Sequence, residues 1–216
     1  MRFPNAFDGV SKIRTSQILA VVATALLFIS AILGLAMIPL SNGGPGNALY
    51  ALLAAFGFVA MAAGIISIIA LIINIIGINR ASKDEPIFKT ALIAVVVNIL
   101  LSCIGSAAGE NGSTLSDLMS ILSSVAQVIT CILIIRGIIS LADQLGDGEM
   151  VERGNTTRNL VLCLFAVSLV LKAVSDFFIR GSGTASSILT LVAAILSLVQ
   201  FIVYLSYLTR AKNMLA

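Results

Sequence analysis

The sequence predicts an all-α integral membrane protein, with six transmembrane helices arranged as three helical hairpins and both termini cytoplasmic. Three observations carry that expectation. Hydrophobic residues make up 59 % of the 216 residues and charged residues only 11 %, where soluble domains carry about 25 % charged. The apolar residues gather in six runs of about 18 to 30, each long enough to cross about 30 Å of hydrocarbon. Lysine and arginine collect almost entirely at one set of helix ends. Six helices with almost no polar faces do not suit a soluble fold, because a helix apolar all round belongs in a bilayer or deep inside a much larger protein.

Residues 1–16 form a cytoplasmic leader with Arg2, Lys12 and Arg14. Phe3, Phe7 and Val10 have the spacing of a short interfacial helix, but a solvated stub is the expected form. The transmembrane domain spans 17–209, and 210–216 is a cytoplasmic tail. Helices are expected at about 17–40, 49–78, 87–108, 115–141, 160–179 and 185–208, from the lengths of the apolar runs. The first run follows a basic leader, as a signal peptide does. It is longer than the about 7 to 15 residues of a signal core, and so reads as a retained span.

The second run exceeds a straight crossing, so it tilts or projects. Ala51 and Ala55, then Ala60 and Gly64, are spaced by four and predict a packing face. The loop at 79–89 carries Arg80, Lys83, Asp84, Glu85 and Lys89, and Pro86 suits the first turn of the next helix. After the break at 109–113, Thr114 and Asp117 resemble a capping box. Residues 143–158 are expected as the longest loop. Asp143, Asp147, Gly148 and Glu149 partly resemble a calcium loop, but Leu145 and Gly154 stand where two ligands are required. The residues at 181–184 join the last two helices.

Orientation follows from the loops. Arg2, Lys12, Arg14, Arg80, Lys83, Lys89, Arg136, Arg153, Arg158, Arg210 and Lys212 fall on one side, and Arg180 on the other. That bias puts both termini in the cytoplasm. Tyr50, Tyr204 and Tyr207 are expected in the interfacial belts.

Ionisable groups at membrane depth are the first functional candidates. Lys172 lies roughly 18 Å and Asp176 roughly 24 Å along the fifth helix, at 1.5 Å per residue. Ser168, Lys172, Asp176 and Arg180 share one face. Asn98 and Gln127 fall about 12 Å above the inner boundary and Gln200 about 8 Å. Lys172, Asp176, Asn98, Gln127 and Gln200 are therefore the candidate polar pocket, with Lys172 as anchor for an anionic group. The competing expectation is that Lys172 pairs with Asp176 and reaches outward, while the amides hold helices together.

The chain has no histidine, and Cys103, Cys131 and Cys163 are far apart within apolar runs. They are expected as buried thiols without a disulfide, and no metal site or cofactor is expected. No nucleophile with a base on another helix is evident, so enzymatic activity is not expected. The basic residues cluster at helix ends rather than along one face, so no nucleic-acid partner is expected. The expectation is a multi-pass protein of the plasma (inner) membrane, a structural or accessory subunit acting through helix-packing faces. Its partners are the lipid bilayer and a membrane protein or a second copy. The alternative is a small-solute transporter or substrate-binding membrane subunit built around Lys172.

Overall fold

The computed structural model describes residues 2–41, 47–108, 114–178 and 183–216. These residues form six helices: α1 (Pro4–Ser41), α2 (Asn47–Ala81), α3 (Ile87–Ala108), α4 (Thr114–Leu145), α5 (Gly148–Phe178) and α6 (Gly183–Leu215). Within them, Pro4–Ser30, Tyr50–Ala81, Ile87–Ala107, Leu118–Leu145 and Gly148–Leu171 are each long and apolar enough to cross a membrane. Large apolar side chains point outward along them. Phe58 is 68 % exposed, Ile93 64 % and Ile68 60 %. Water would not tolerate apolar surface on that scale, so the chain is a multi-pass helical protein of the membrane type.

Two compact units make up the chain: Met1–Ser11 with Ile75–Ala216, and Lys12–Asn74. In the second unit, which holds most of α1 and α2, the buried side chains are small: Ala23, Ala63 and Ala70. Ala51, Ala55 and Gly64 are exposed, so the packing face expected from their spacing is not the buried one. An alanine-rich helix offers small residues on several faces, and spacing alone does not select among them.

In the first unit α3 packs on α4, α4 on α5, and α5 on α6. Two of the expected hairpins, α3–α4 and α5–α6, are therefore present. The buried core gathers at the end where α2 meets α3 and α4 meets α5. It contains Phe88 and Ala91 of α3, and Ile134, Ile135, Ile138, Leu141 and Ala142 of α4. From α5 and α6 it takes Val161 and Leu208. The Phe88 ring lies over Gly137, where the absent side chain leaves room for it.

Residues 1–16 are not a solvated stub. α1 begins at Pro4, and Ala6, Val10 and Ile13 are fully buried. The apolar spacing noted there belongs to a packed helix face. Asp84 of the α2–α3 turn accepts hydrogen bonds from Asn5 Nδ2 at 2.8 Å and from the Ala6 N–H at 2.7 Å. A carboxylate at a helix N-terminus satisfies free N–H groups and meets the positive end of the helix dipole. Asp8 pairs with Arg80, and Lys212 Nζ lies 5.9 Å from the centre of the Phe7 ring.

The expected long loop at 143–158 is mostly helix. Only Gly146 and Asp147 separate α4 from α5. Gly146 has φ +75°, a conformation that glycine adopts without steric cost. The Asp147 N–H donates to Ala142 O and the Gly146 N–H to Asp143 O, each at 3.0 Å, which closes α4 with a Schellman motif. Asp147 then caps α5 by accepting from the Met150 N–H at 3.0 Å. That cap is the role of the carboxylate that resembled part of a calcium loop. Met150 and Gly154 are buried on this polar stretch, with Ile139 and Tyr207 closing over Gly154, and Arg153 pairs with Glu149 one turn earlier. Few apolar residues are needed when they fall on one stripe, and so the polarity of 148–159 read as a loop.

Tyr204 and Tyr207 are 4 % and 3 % exposed, so they belong to the core rather than to an interfacial belt. Cys103 and Cys163 are exposed rather than buried. In lipid an outward thiol meets apolar surroundings, and the outward face is as suitable for it as the core.

A side chain at Gly9 has no room. A methyl carbon there would lie 2.6 Å from the Gly77 carbonyl oxygen and 2.7 Å from the Ala81 nitrogen. Both are backbone atoms and cannot swing away. Gly9→Ala is expected to cost about 1–3 kcal/mol, as overpacking does. Gly57, which has nothing within 4 Å of the corresponding position, tolerates alanine without loss. Thermal unfolding of both variants in one detergent checks the difference.

Candidate functional site

Polar side chains inside an apolar helix need partners, because hydrocarbon supplies none. Most hydroxyls here find one within their own helix. Thr24 donates to Ala20 O, Ser67 to Ala63 O, Thr130 to Ala126 O and Ser168 to Leu164 O, at 2.8–2.9 Å. This back-bond to the carbonyl four residues earlier makes a hydroxyl nearly neutral inside a span.

The seam between α3 and α4 is different. Ser123 Oγ of α4 donates to Asn98 Oδ1 of α3 at 2.6 Å, and lies 2.8 Å from Ser102 Oγ of α3. Three side chains from two helices therefore form one chain of hydrogen bonds within Ile87–Ala107 and Leu118–Leu145. Outside it, Ser106 donates to Ser102 O and Ser124 to Ser120 O, each at 2.9 Å. The helices come close here: a methyl carbon at Gly105 would sit 3.2 Å from Met119 Cβ. Asn98 was identifiable from the sequence. Ser102 and Ser123 were missed, although Asn98, Ser102 and Ser106 recur every four residues on α3. That spacing is the signal that a polar seam leaves in a sequence.

The other candidates do not join this network among the described contacts. Gln127 is exposed on α4 and Gln200 half-buried on α6. Lys172 and Asp176 fall on α5, but their side chains lie outside the described residues.

A second polar cluster sits at the end of the bundle. Glu85 is 5 % exposed, and its Oε2 accepts from Ser140 Oγ and Gln144 Nε2 of α4, each at 3.0 Å. Arg2 Nη1 reaches Gln144 O at 3.5 Å. A buried carboxylate is costly unless hydrogen-bonded. These contacts make Glu85 the pin that holds the α2–α3 turn on α4. Nothing in the sequence distinguished it from its exposed neighbour Lys83.

The arrangement holds helices together, and it offers no nucleophile–base pair among the described residues. Ser123→Ala removes the shared donor of the α3–α4 seam. The expected loss is about 0.6–1.7 kcal/mol, the range for hydrogen bonds between membrane helices. Ser124→Ala, which loses only a bond within its helix, is expected to change stability less. Unfolding of the two variants by denaturant in mixed micelles checks the order.

No protein-family model matches this chain, and neither a curated protein nor a solved structure matches it at a significant level.

Proposed function

We propose that the chain is a structural or accessory subunit of the plasma (inner) membrane, without enzymatic activity, that works through its helix faces. The observation that supports this most is the α3–α4 seam. Asn98 Oδ1 and the hydroxyls of Ser102 and Ser123 bond to one another. A solute site would instead leave such groups turned into a cavity. Ser168, four residues before Lys172 in the sequence, donates its hydroxyl to Leu164 O.

In this reading the chain crosses the membrane six times, and both termini are cytoplasmic. Support comes from the one-sided distribution of lysine and arginine. Reporter fusions at Met1 and Ala216 are expected to give cytoplasmic signals. An extracytoplasmic signal at Ala216 alone would mean an odd number of crossings.

The alternative is a small-solute transporter or binding subunit. It rests on Lys172 and Asp176, an ionisable pair one helical turn apart within an apolar run. Native mass spectrometry from mild detergent separates the two readings. The subunit reading expects a protein, a second copy or another chain, bound in fixed proportion. Stoichiometric retention of a small anionic solute, lost in Lys172→Met, would overturn that reading in favour of transport.

A further inference from the structure

Three contacts set α3 against α4: the Phe88 ring on Gly137, Ser123 Oγ on Asn98 Oδ1, and Met119 beside Gly105. They fix an antiparallel register in which Lys89 and Arg136 stand at the same height. After Gly146 and Asp147, α5 turns back along α4, and Ile139 closes over Gly154. Arg158, one turn beyond Gly154, is therefore level with Ile135. At 1.5 Å per residue, the backbones of Lys89, Arg136 and Arg158 fall within about 3 Å of one level. Three successive helices thus carry a cation at one height.

That height is the edge of the apolar part of the bundle. Beyond it, residues 90–108 of α3, 118–135 of α4 and 159–171 of α5 contain no charged side chain. The first two stretches are each about 27–28 Å long, which matches a hydrocarbon layer of about 30 Å. The three cations therefore stand where hydrocarbon gives way to headgroups.

No carboxylate of the chain stands free at their level. Asp84 and Asp147 hold the first turns of α1 and α5, and Glu85 is held by Ser140 and Gln144. Asp8 and Glu149 pair with Arg80 and Arg153. Asp143 and Glu152 lie about 9–10 Å along the helix axis from Arg136 and Arg158. Glu110, Asp117 and Asp176 come only after the uncharged stretches. The separate unit Lys12–Asn74 contains no Asp or Glu, so wherever it lies it brings no countercharge. Among the described residues, the side chains of Lys89, Arg136 and Arg158 have no hydrogen bond or ion pair. Lys89 and Arg136 are exposed and Arg158 is half-buried.

We propose that these three cations bind the phosphates of anionic lipids in the leaflet at this end of the bundle. Phosphates surround a membrane protein at that height, so the cations need not share one face. Arginine takes a phosphate through two parallel N–H bonds and lysine as a point charge. Lipids of net negative charge are favoured over zwitterionic ones, whose own cation competes for the phosphate. The proposal is independent of the subunit reading and holds whichever compartment this end faces.

The test uses the full chain in mild detergent, with native mass spectrometry after addition of phosphatidylglycerol or phosphatidylcholine of matched acyl chains. The natural chain is expected to retain more phosphatidylglycerol, with each cation contributing about fivefold. Lys89→Gln and Arg136→Gln should each lower its retention by about that factor and leave phosphatidylcholine unchanged, while Lys89→Arg keeps the natural level. Lys83→Gln removes an exposed cation of the α2–α3 turn, outside this level, and should leave both lipids unchanged. Inorganic phosphate at millimolar concentration should not displace the lipid. Equal retention of the two lipids by the natural chain overturns the proposal, and that comparison needs no variant to fold. A loss in Lys83→Gln as large as in Lys89→Gln also overturns it, because the effect is then one of overall charge. So does displacement by inorganic phosphate, which would mark a site for a free anion. An acidic protein bound in fixed proportion to the natural chain, and lost in both Lys89→Gln and Arg136→Gln, would place the countercharge on a protein instead.

Discussion

A hydrocarbon solvent offers no hydrogen-bond partner, and the polar contacts of this chain follow from that constraint. Backbone groups are satisfied by helix formation, which accounts for six helices among the described residues. Isolated hydroxyls turn back to the carbonyl one turn earlier, as Thr24, Ser67, Thr130 and Ser168 do. Amides cannot be satisfied this way, since they carry more donors and acceptors than one carbonyl can engage. Asn98 therefore reaches across to Ser123. The same constraint makes Gln127 conspicuous, as an amide on an apolar span without a described partner.

At the end of the bundle where the α2–α3 and α4–α5 turns lie, the packing differs. The side chains buried most completely in the first unit gather there, among them Phe88, Ile134, Ile138, Leu141 and Leu208. The charged residues at this end are arranged accordingly. Asp84 holds the first turn of α1 and Asp147 the first turn of α5, while Glu85 holds the α2–α3 turn on α4. Three carboxylates in two short connections thus fix where three helices begin or turn.

A functional reading built on helix faces is consistent with this division. Of the candidate polar groups, Asn98 joins a neighbouring helix and Gln127 faces outward.

The apolar runs determined by themselves that the chain is helical and of the membrane type, because length and composition are enough to set the preferred solvent. They also located the charged connection within 79–89, of which 82–86 lies between α2 and α3, since interruptions of a run are visible in a linear sequence. Asn98 was legible as a polar residue in an apolar helix, though its partner Ser123 was not, because pairing depends on which faces two helices present to each other. The helical character of 4–16 and 148–159 was also hidden. Those segments are polar in composition, and their order comes from contacts with residues far along the chain: Asp84 for α1, and the core around Ile139 and Tyr207 for α5. Likewise Tyr204 and Tyr207 had the composition of interfacial residues and became core residues. Composition chooses a solvent, but only packing chooses a neighbour.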